Sequence, residues 1–122
     1  MMRRFWWWPF GRVPEIKAHE LHSRLQGGSP PQVLDVRTGL EWRHGHIAGA
    51  INVPILHLPE QLPSLGLDKS RPVVAICRTA HRSIPAVRVL RENGYDASQL
   101  RHGMQAWWWA GLPVHRGSDQ GG

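Results

Sequence analysis

Residues 72–83 of this 122-residue chain read PVVAICRTAHRS, and a helical pattern from Ser83 to Glu92 follows without a gap. The run from Pro72 to Cys77 is short and almost unbroken in apolar residues, which is typical of a central strand buried on both faces. A buried strand that leads through a tight loop into a helix is part of a βαβ unit. This stretch therefore predicts a parallel sheet covered by helices.

The rest of the chain repeats the alternation of short apolar runs and helical patterns. Further helical patterns cover Ala18–Gln26 and Met104–Ala110, and each helical segment is followed by glycine or by Asn-Gly, which are common helix ends. Strands separated by helices predict an α/β fold with a mostly parallel sheet and helices on both faces. The predicted strands are Glu15–Ile16, Gln32–Val36, Ala50–Pro54, Pro72–Cys77 and Ala97–Leu100.

Length and composition predict one ordinary globular domain. The hydrophobic fraction is 41% and the charged fraction 20%, as in soluble folded proteins. We place the domain at residues 14–116, after an aromatic and basic appendage at 1–13 and before a flexible tail at 117–122. The net charge of +6 is scattered along the chain, which favours a solvated basic surface and no nucleic-acid partner.

Cys77 is the only cysteine of the chain and lies at the end of a predicted strand. Ligands of open α/β sheets bind just beyond the carboxyl ends of the strands. A tight loop into a helix directs several backbone N–H groups into one concavity, and Arg78 and Arg82 add positive charge. This environment stabilises a thiolate and an anion presented to it. We therefore predict that Cys77 is catalytic and that Arg78, Thr79, Ala80, His81 and Arg82 bind the substrate.

Three separated motifs carry a resemblance to a known family. The loop CRTAHRS at 77–83 is similar to the C-R-[ST]-G-x-R-[ST] loop of single-domain rhodaneses. Asp35-Val36-Arg37, Glu41-Trp42 and the segment GHIAGAINVP at 45–54 resemble the family's D-V-R, E-[YFW] and G-H-I-x-G-A-x-N-[IV]-P. The segment HGMQAW at 102–107, with GLPV at 111–114, resembles G-G-x-x-A-W and G-[LY]-P-V. The resemblance covers about residues 14–114.

The resemblance implies a rhodanese-like fold with five parallel strands flanked by helices, and a sulfurtransferase activity. In such an enzyme Cys77 takes the outer sulfur of thiosulfate or a similar anionic donor as a persulfide. Cyanide or a thiol, including a protein thiol, then removes the sulfur, and no cofactor takes part. Arg82 matches the family's closing arginine, which braces the loop or contacts the anion, and Arg78 matches a position that often faces the donor.

Two alternatives to this activity stay open. One is a cysteine-based phosphatase or arsenate reductase on the same fold, and the other is a non-catalytic module that only binds or relays sulfur. The family loop has glycine at the position of Ala80, so alanine there costs on the order of 1 kcal/mol if φ is positive and nothing if φ is negative. A second departure is His102, which replaces the first glycine of the G-G pair.

Other polar residues are predicted to support the fold. Asp35, Arg37 and Ser83 are expected to hold the loop through hydrogen bonds and ion pairs, as strand-end charges commonly do. His44 and His46 lack a third ligand at zinc spacing, so we predict no metal site.

The seven tryptophans form two triplets, and one lone tryptophan lies between them. Met104, Trp107 and Trp108 fall on one helical face and predict core positions, whereas Trp109 is expected to be exposed and available to an aromatic patch with Phe5–Phe10. For Phe5–Phe10 three alternatives stay open: packing on a helix, peripheral contact with a membrane, and disorder. The segment is too short for an export signal, so we expect a cytoplasmic protein, with the aromatic segment as a potential membrane contact.

Overall fold

The computed structural model describes residues 5–117 and contains a five-stranded sheet in which all neighbouring strands are parallel. The strand order is β1-β5-β4-β2-β3, so β4, which leads into the cysteine loop, lies at the centre. The predicted fold class is confirmed. The strands are β1 at Glu15–Ile16, β2 at Gln32–Asp35, β3 at Ile51–Asn52, β4 at Val73–Ile76 and β5 at Ala97–Leu100.

Within residues 5–117 four helices connect the strands and a fifth follows β5, and three of the five match the predicted helical patterns to within a residue at most boundaries. Two short 3-10 turns, Ile55–His57 and Leu62–Ser64, flank the third helix. The helices are α1 at Ala18–Leu25, α2 at Gly39–His44, α3 at Leu58–Gln61, α4 at Ser83–Glu92 and α5 at Gly103–Trp109.

The central strand divides the core into two layers, as its unbroken apolar run predicts. Val74 and Ile76 pack with α1 and α5 on one face, whereas Val73 and Ala75 pack with α3 and α4 on the other. Side chains alternate between the faces of a strand, so every position of β4 is buried. The cysteine loop therefore starts from the best-packed part of the molecule.

The second tryptophan triplet corrects one prediction. Trp107 is 1% exposed and Trp109 is 79% exposed, as expected, but Trp108 is 42% exposed. The buried residues of α5 are Gly103, Met104 and Trp107, and Trp108 lies at the edge of that face.

Both ends of the chain extend beyond the described region. Residues 1–4 of the predicted appendage lie outside the described residues, as does the predicted flexible tail from residue 118 onward. In residues 5–117 none of the helices has the length and apolar character needed to span a bilayer.

Candidate active site

Cys77 lies at the carboxyl end of β4, one residue beyond Ile76, and is 1% exposed. The backbone N–H of Arg82 points at its sulfur, with 3.4 Å between the nitrogen and Sγ. An N–H donor stabilises a negative charge on sulfur more than a neutral thiol. The loop therefore returns to the sulfur atom at Arg82.

The backbone amides of the loop indicate what kind of ligand the site can bind. Within residues 5–117 the backbone N–H groups of residues 78–81 have no hydrogen-bond acceptor. Thr79 and Ala80 are half-buried, and Arg78 and His81 are exposed. A run of four amides without a protein partner next to a cysteine, followed by the N-terminus of α4, is available to bind an anion.

The guanidinium of Arg82 forms a two-pronged ion pair with Glu41. Nη1 lies 2.6 Å from Oε1 and Nη2 lies 2.8 Å from Oε2. The bonds from Arg82 hold the pKa of Glu41 down at about 2, and the same pair raises the pKa of Arg82. Of the two roles expected for Arg82, bracing the loop is the one that this side-chain contact fits.

Glu41 was not predicted as a site residue, although its helix carries a readable signal. The hydroxyl of Thr38 accepts a hydrogen bond from the Glu41 backbone N–H at 3.3 Å, and the Glu41 carboxylate accepts one from the Thr38 N–H at 3.0 Å. This is a capping box, which the sequence Thr-x-x-Glu predicts at helix starts. The box fixes the carboxylate of Glu41 where Arg82 can reach it.

A chain of polar side chains supports the loop from below. Ser83 Oγ lies 2.9 Å from the carbonyl oxygen of Ala80 and 2.6 Å from Oε1 of Gln99. The amide group of Gln99 in turn donates to a carboxylate oxygen of Glu15 at 3.0 Å. Ser83 is fully buried, and its contact with the loop carbonyl agrees with the supporting role expected for it.

The start of α5 holds the other side of the loop. The backbone N–H of Met104 donates to the Cys77 carbonyl at 2.8 Å, and that of Gln105 donates to the Arg78 carbonyl at 3.0 Å. Gly103 has φ +57°, and a Cβ atom at this position would collide with the carbonyl oxygens of Cys77 and Thr79. Only glycine allows this close approach of helix and loop.

The two departures from the family motifs differ in their backbone conformation. His102 has φ 59° and is the sole non-glycine residue in 5–117 with a positive φ. Ala80 therefore lies outside the left-handed region, so the missing loop glycine causes no backbone strain. The replacement of glycine by His102 is the one that carries a conformational cost.

Asp35 and Arg37 are fully buried and pair with each other rather than with the loop. Arg37 Nη2 lies 2.8 Å from Oδ2 of Asp35 and also donates to the Gly45 carbonyl at 2.8 Å. Asn52 donates to the carbonyl oxygens of both residues at 3.0 and 2.9 Å. The pair thus fixes the segment between β2 and α2. Because α2 carries Glu41, which binds Arg82, the pair supports the cysteine loop only indirectly.

Arg78 and His81 are the exposed members of the loop. Arg78 lines a cavity of about 290 Å³ together with Arg37, Leu40, Glu41, His44 and Trp108. Within the described part of the chain the Arg78 guanidinium makes no ion pair. The Thr79 hydroxyl lies 3.4 Å from Nδ1 of His81, and this contact is confined to the loop.

His44 and His46 have structural contacts. Nδ1 of His44 bonds to the Leu40 carbonyl and Nδ1 of His46 to the Trp42 carbonyl, each at 2.8 Å. The His46 ring also stacks on the Trp42 ring at 3.3 Å. Among residues 5–117 no group of three or more His, Cys, Asp or Glu side chains is placed to hold a metal ion.

The first aromatic segment lies on α4, the helix that follows the cysteine loop. Trp6 is half-buried against the apolar cluster on that face. Arg88 donates to the carbonyl oxygens of Trp8 and Phe10, and the Phe10 ring contacts the His81 ring at 6.5 Å. Packing on a helix, one of the three alternatives, is therefore confirmed for this segment. Trp109 was expected to be available to an aromatic patch with Phe5–Phe10. None of the ring contacts of that segment involves Trp109.

The fold and the site together define a class of α/β protein, in which a buried cysteine at the end of a central parallel strand is followed by a tight loop that leads into a helix. A family model described as the Rhodanese-like domain matches residues 17–110. The chain therefore belongs to the rhodanese-like domain family, and the resemblance seen in its motifs is confirmed.

Two curated relatives and one solved structure illustrate the match. The chain is 34% identical over 103 residues to a sulfurtransferase of Allochromatium vinosum, which covers 84% of this chain and 94% of the relative. It is 42% identical over 108 residues to an HTH-type transcriptional regulator of Mycobacterium tuberculosis, covering 87% of this chain but only 46% of the regulator. The crystal structure of a rhodanese-related protein from Thermoplasma volcanium superposes with a TM-score of 0.76 at 32% identity, over 84% of this chain and 98% of that one.

Proposed function

We propose that this protein is a sulfurtransferase that carries sulfane sulfur as a persulfide on Cys77. The observation that supports this function most strongly is the run of unpaired amides at residues 78–81, directly after a buried cysteine whose sulfur accepts the Arg82 N–H. Such a run of amides binds an anionic donor and also stabilises the negative charge of the outer persulfide sulfur. Curated relatives that carry the name sulfurtransferase support the reaction class.

Thiosulfate is the donor that we propose first. The Cys77 thiolate attacks the outer sulfur of thiosulfate, a new S–S bond forms, and sulfite departs with the electron pair of the broken S–S bond. The loop amides then hold the terminal sulfur of the persulfide, while Arg78 holds the anion during its approach and departure. The donor is dianionic, which matches the cationic loop.

A thiophilic acceptor completes the cycle. Cyanide or a thiolate attacks the outer persulfide sulfur, the S–S bond breaks, and the electron pair returns to Cys77 as a thiolate. Since the cysteine ends as it began, no oxidant or reductant is consumed with cyanide, and thiocyanate is the product. A thiol acceptor leaves with the sulfur as its own persulfide.

Intact-mass measurement of the full chain tests the proposal. After incubation with thiosulfate we expect the mass of one added sulfur atom, and after cyanide we expect the original mass and thiocyanate in solution. The Cys77→Ser variant should show neither change. An unchanged wild-type mass in a large excess of thiosulfate would refute thiosulfate as donor, and an added sulfur in Cys77→Ser would refute the role of Cys77.

Phosphoryl transfer is the alternative from a different reaction class, and the site favours it less. Only four residues separate Cys77 from Arg82, and the guanidinium of Arg82 is already bound to Glu41. A phosphate ester needs donors for three equatorial oxygens and an arginine that is free to contact them. We expect no hydrolysis of p-nitrophenyl phosphate above background, and hydrolysis that depends on Cys77 would overturn the sulfurtransferase proposal.

A further inference from the structure

A surface of four aromatic rings lies beside the cysteine loop and has no part in the proposed sulfur transfer. Phe5, Trp7, Trp8 and Phe10 are 45–57% exposed. Successive rings of these four are in contact, with centroids 5.3–6.1 Å apart. We call these four residues the aromatic patch. Large contiguous exposed apolar surfaces mark sites that bind another molecule or a membrane.

The aromatic patch is held in place by the domain. Trp6, inside the same segment, packs inward against the apolar cluster under α4. The Arg88 side chain donates to the carbonyl oxygens of Trp8 and Phe10, and the Trp8 N–H closes a turn onto the Phe5 carbonyl at 3.0 Å. These bonds keep the four rings on the outer side, where they cannot be buried by the domain itself.

An apolar cleft opens next to the patch. Its volume is about 630 Å³, and it is lined by Phe5, Trp6, Trp8, Arg88, Val89 and Glu92. Three of these six side chains are aromatic, one is an arginine and one is a glutamate. The aromatic rings match an acyl chain, which they can contact.

The charge near the patch is mostly positive, although Glu92 lines the adjacent cleft together with Arg88. In the sequence Arg3 and Arg4 precede it, Arg12 follows it, and the first acidic residue is Glu15. Basic residues close to a bilayer are attracted by anionic lipids, and tryptophan rings are enriched at the boundary between headgroups and acyl chains. The rings of the patch match the boundary between headgroups and acyl chains, and the arginines before and after it in the sequence match anionic lipids.

We propose that the aromatic patch docks the protein on the surface of an anionic lipid bilayer. The rings enter the headgroup region, and the arginines of the segment bind the lipid phosphates. Because the Phe10 ring contacts His81 of the cysteine loop, docking brings the loop close to the bilayer.

Co-sedimentation of the full chain with vesicles tests the docking. We compare vesicles of phosphatidylcholine alone with vesicles that also contain phosphatidylglycerol. We expect binding to the anionic vesicles, and about tenfold weaker binding after the double substitution Trp7→Ala and Trp8→Ala, which removes two rings of the patch. The matched control is Trp109→Ala with Leu56→Ala, since these side chains are 79% and 73% exposed outside the patch.

The charge contribution is tested separately. Arg12→Gln should weaken binding to the anionic vesicles about fivefold, the usual effect of one arginine near such a surface. Arg24→Gln, on the surface of α1, is the matched control and should bind as the wild type does. The proposal is overturned if the wild type does not sediment with anionic vesicles, or if both aromatic double variants lose binding equally. It is also overturned if the patch mediates self-association in light scattering while vesicles are not bound.

Discussion

Two arginines of the cysteine loop carry the same charge but have different surroundings. Arg82 is bound to Glu41 through two hydrogen bonds, whereas Arg78 is exposed and lines the cavity beside the loop. The charge of the Arg82 guanidinium is therefore offset by a carboxylate, whereas within residues 5–117 the Arg78 guanidinium has no ion-pair partner. In the proposed reaction, capture of the donor therefore falls to Arg78.

Arg78→Ala should raise the KM for thiosulfate about tenfold, which corresponds to the loss of one charge-assisted contact. The kcat should change less, because the amides that hold the persulfide stay in place. Steady-state thiocyanate formation measures both constants. Arg24→Ala removes the same charge from the surface of α1 and is the control; an equal rise in its KM would show a general charge effect rather than a contact.

The ion pair between Arg82 and Glu41 should make the stability of the loop depend on acid. The pKa of Glu41 falls from 4.5 to about 2 on folding, mainly through the bond from Arg82. A carboxyl whose pKa is lowered stabilises the folded state fully above pH 4.5, and this contribution is lost as the pH falls toward about 2.

Glu41→Gln removes that titration. We expect the variant to be about 1–2 kcal/mol less stable than the wild type at about pH 6, and the difference to shrink at about pH 3. Urea unfolding at both pH values gives the two free energies. Glu20→Gln, at an exposed pair with Arg24 at 3.6 Å, should show a smaller difference at either pH. A constant deficit for Glu41→Gln would mean that packing, not charge, is lost.

Among the secondary-structure elements, α5 supports the cysteine loop through its first residues. Its N-terminus donates two hydrogen bonds to the cysteine loop, and Gly103 allows the close approach. The residue before it, His102, is held in the left-handed region at φ 59°. The strain of this connection is therefore located next to the site, at the position where the family usually has glycine.

His102→Gly should raise the free energy of unfolding by about 1 kcal/mol, because glycine adopts a positive φ without a steric penalty. Ala80→Gly is the matched comparison: Ala80 has no positive φ, so glycine there should be neutral or slightly destabilising. Thermal and urea unfolding of the two variants measure both effects. A stabilisation by Ala80→Gly that equals that of His102→Gly would contradict this assignment of the strain.

Most elements were predictable from the sequence because their signals are local. The apolar run predicts β4, and Asn93-Gly94 predicts the end of α4. These two elements precede and follow the cysteine loop. α2 and α3 were missed, since both are too short to show a helical period; for α2 the capping box at Thr38 was the available signal. The ion pair of Glu41 with Arg82 joins residues 41 positions apart, and no local pattern encodes such a contact.

At the scale of the whole molecule, the aromatic segment adds packing to the domain. Trp6 contributes to the apolar cluster on the α4 face and is half-buried. Its role is distinct from that of the exposed patch, because its ring points inward. Stability and surface binding should therefore respond to different substitutions within one short segment.

Trp6→Ala should lower the free energy of unfolding by about 1–2 kcal/mol, through the loss of a partly buried ring. Sulfur transfer from thiosulfate to cyanide should keep the wild-type rate at a temperature where the variant is folded, since Trp6 does not contact the loop. Calorimetry and thiocyanate formation check the two statements. Trp109→Ala, which removes an exposed ring, should leave both unchanged; a lower turnover in Trp6→Ala alone would mean that the segment shapes the site.

The pairing of the first strand with the fifth has a consequence for the order of folding. Glu15 lies opposite Gln99, 84 residues away in sequence, so β1 has no partner until almost the entire domain has left the ribosome. Contacts between distant residues form slowly, because the chain loses entropy before it gains them. Gln99 bonds to Glu15 and to Ser83 below the cysteine loop. This support thus reaches the loop late, after the chain has been made at least as far as Gln99.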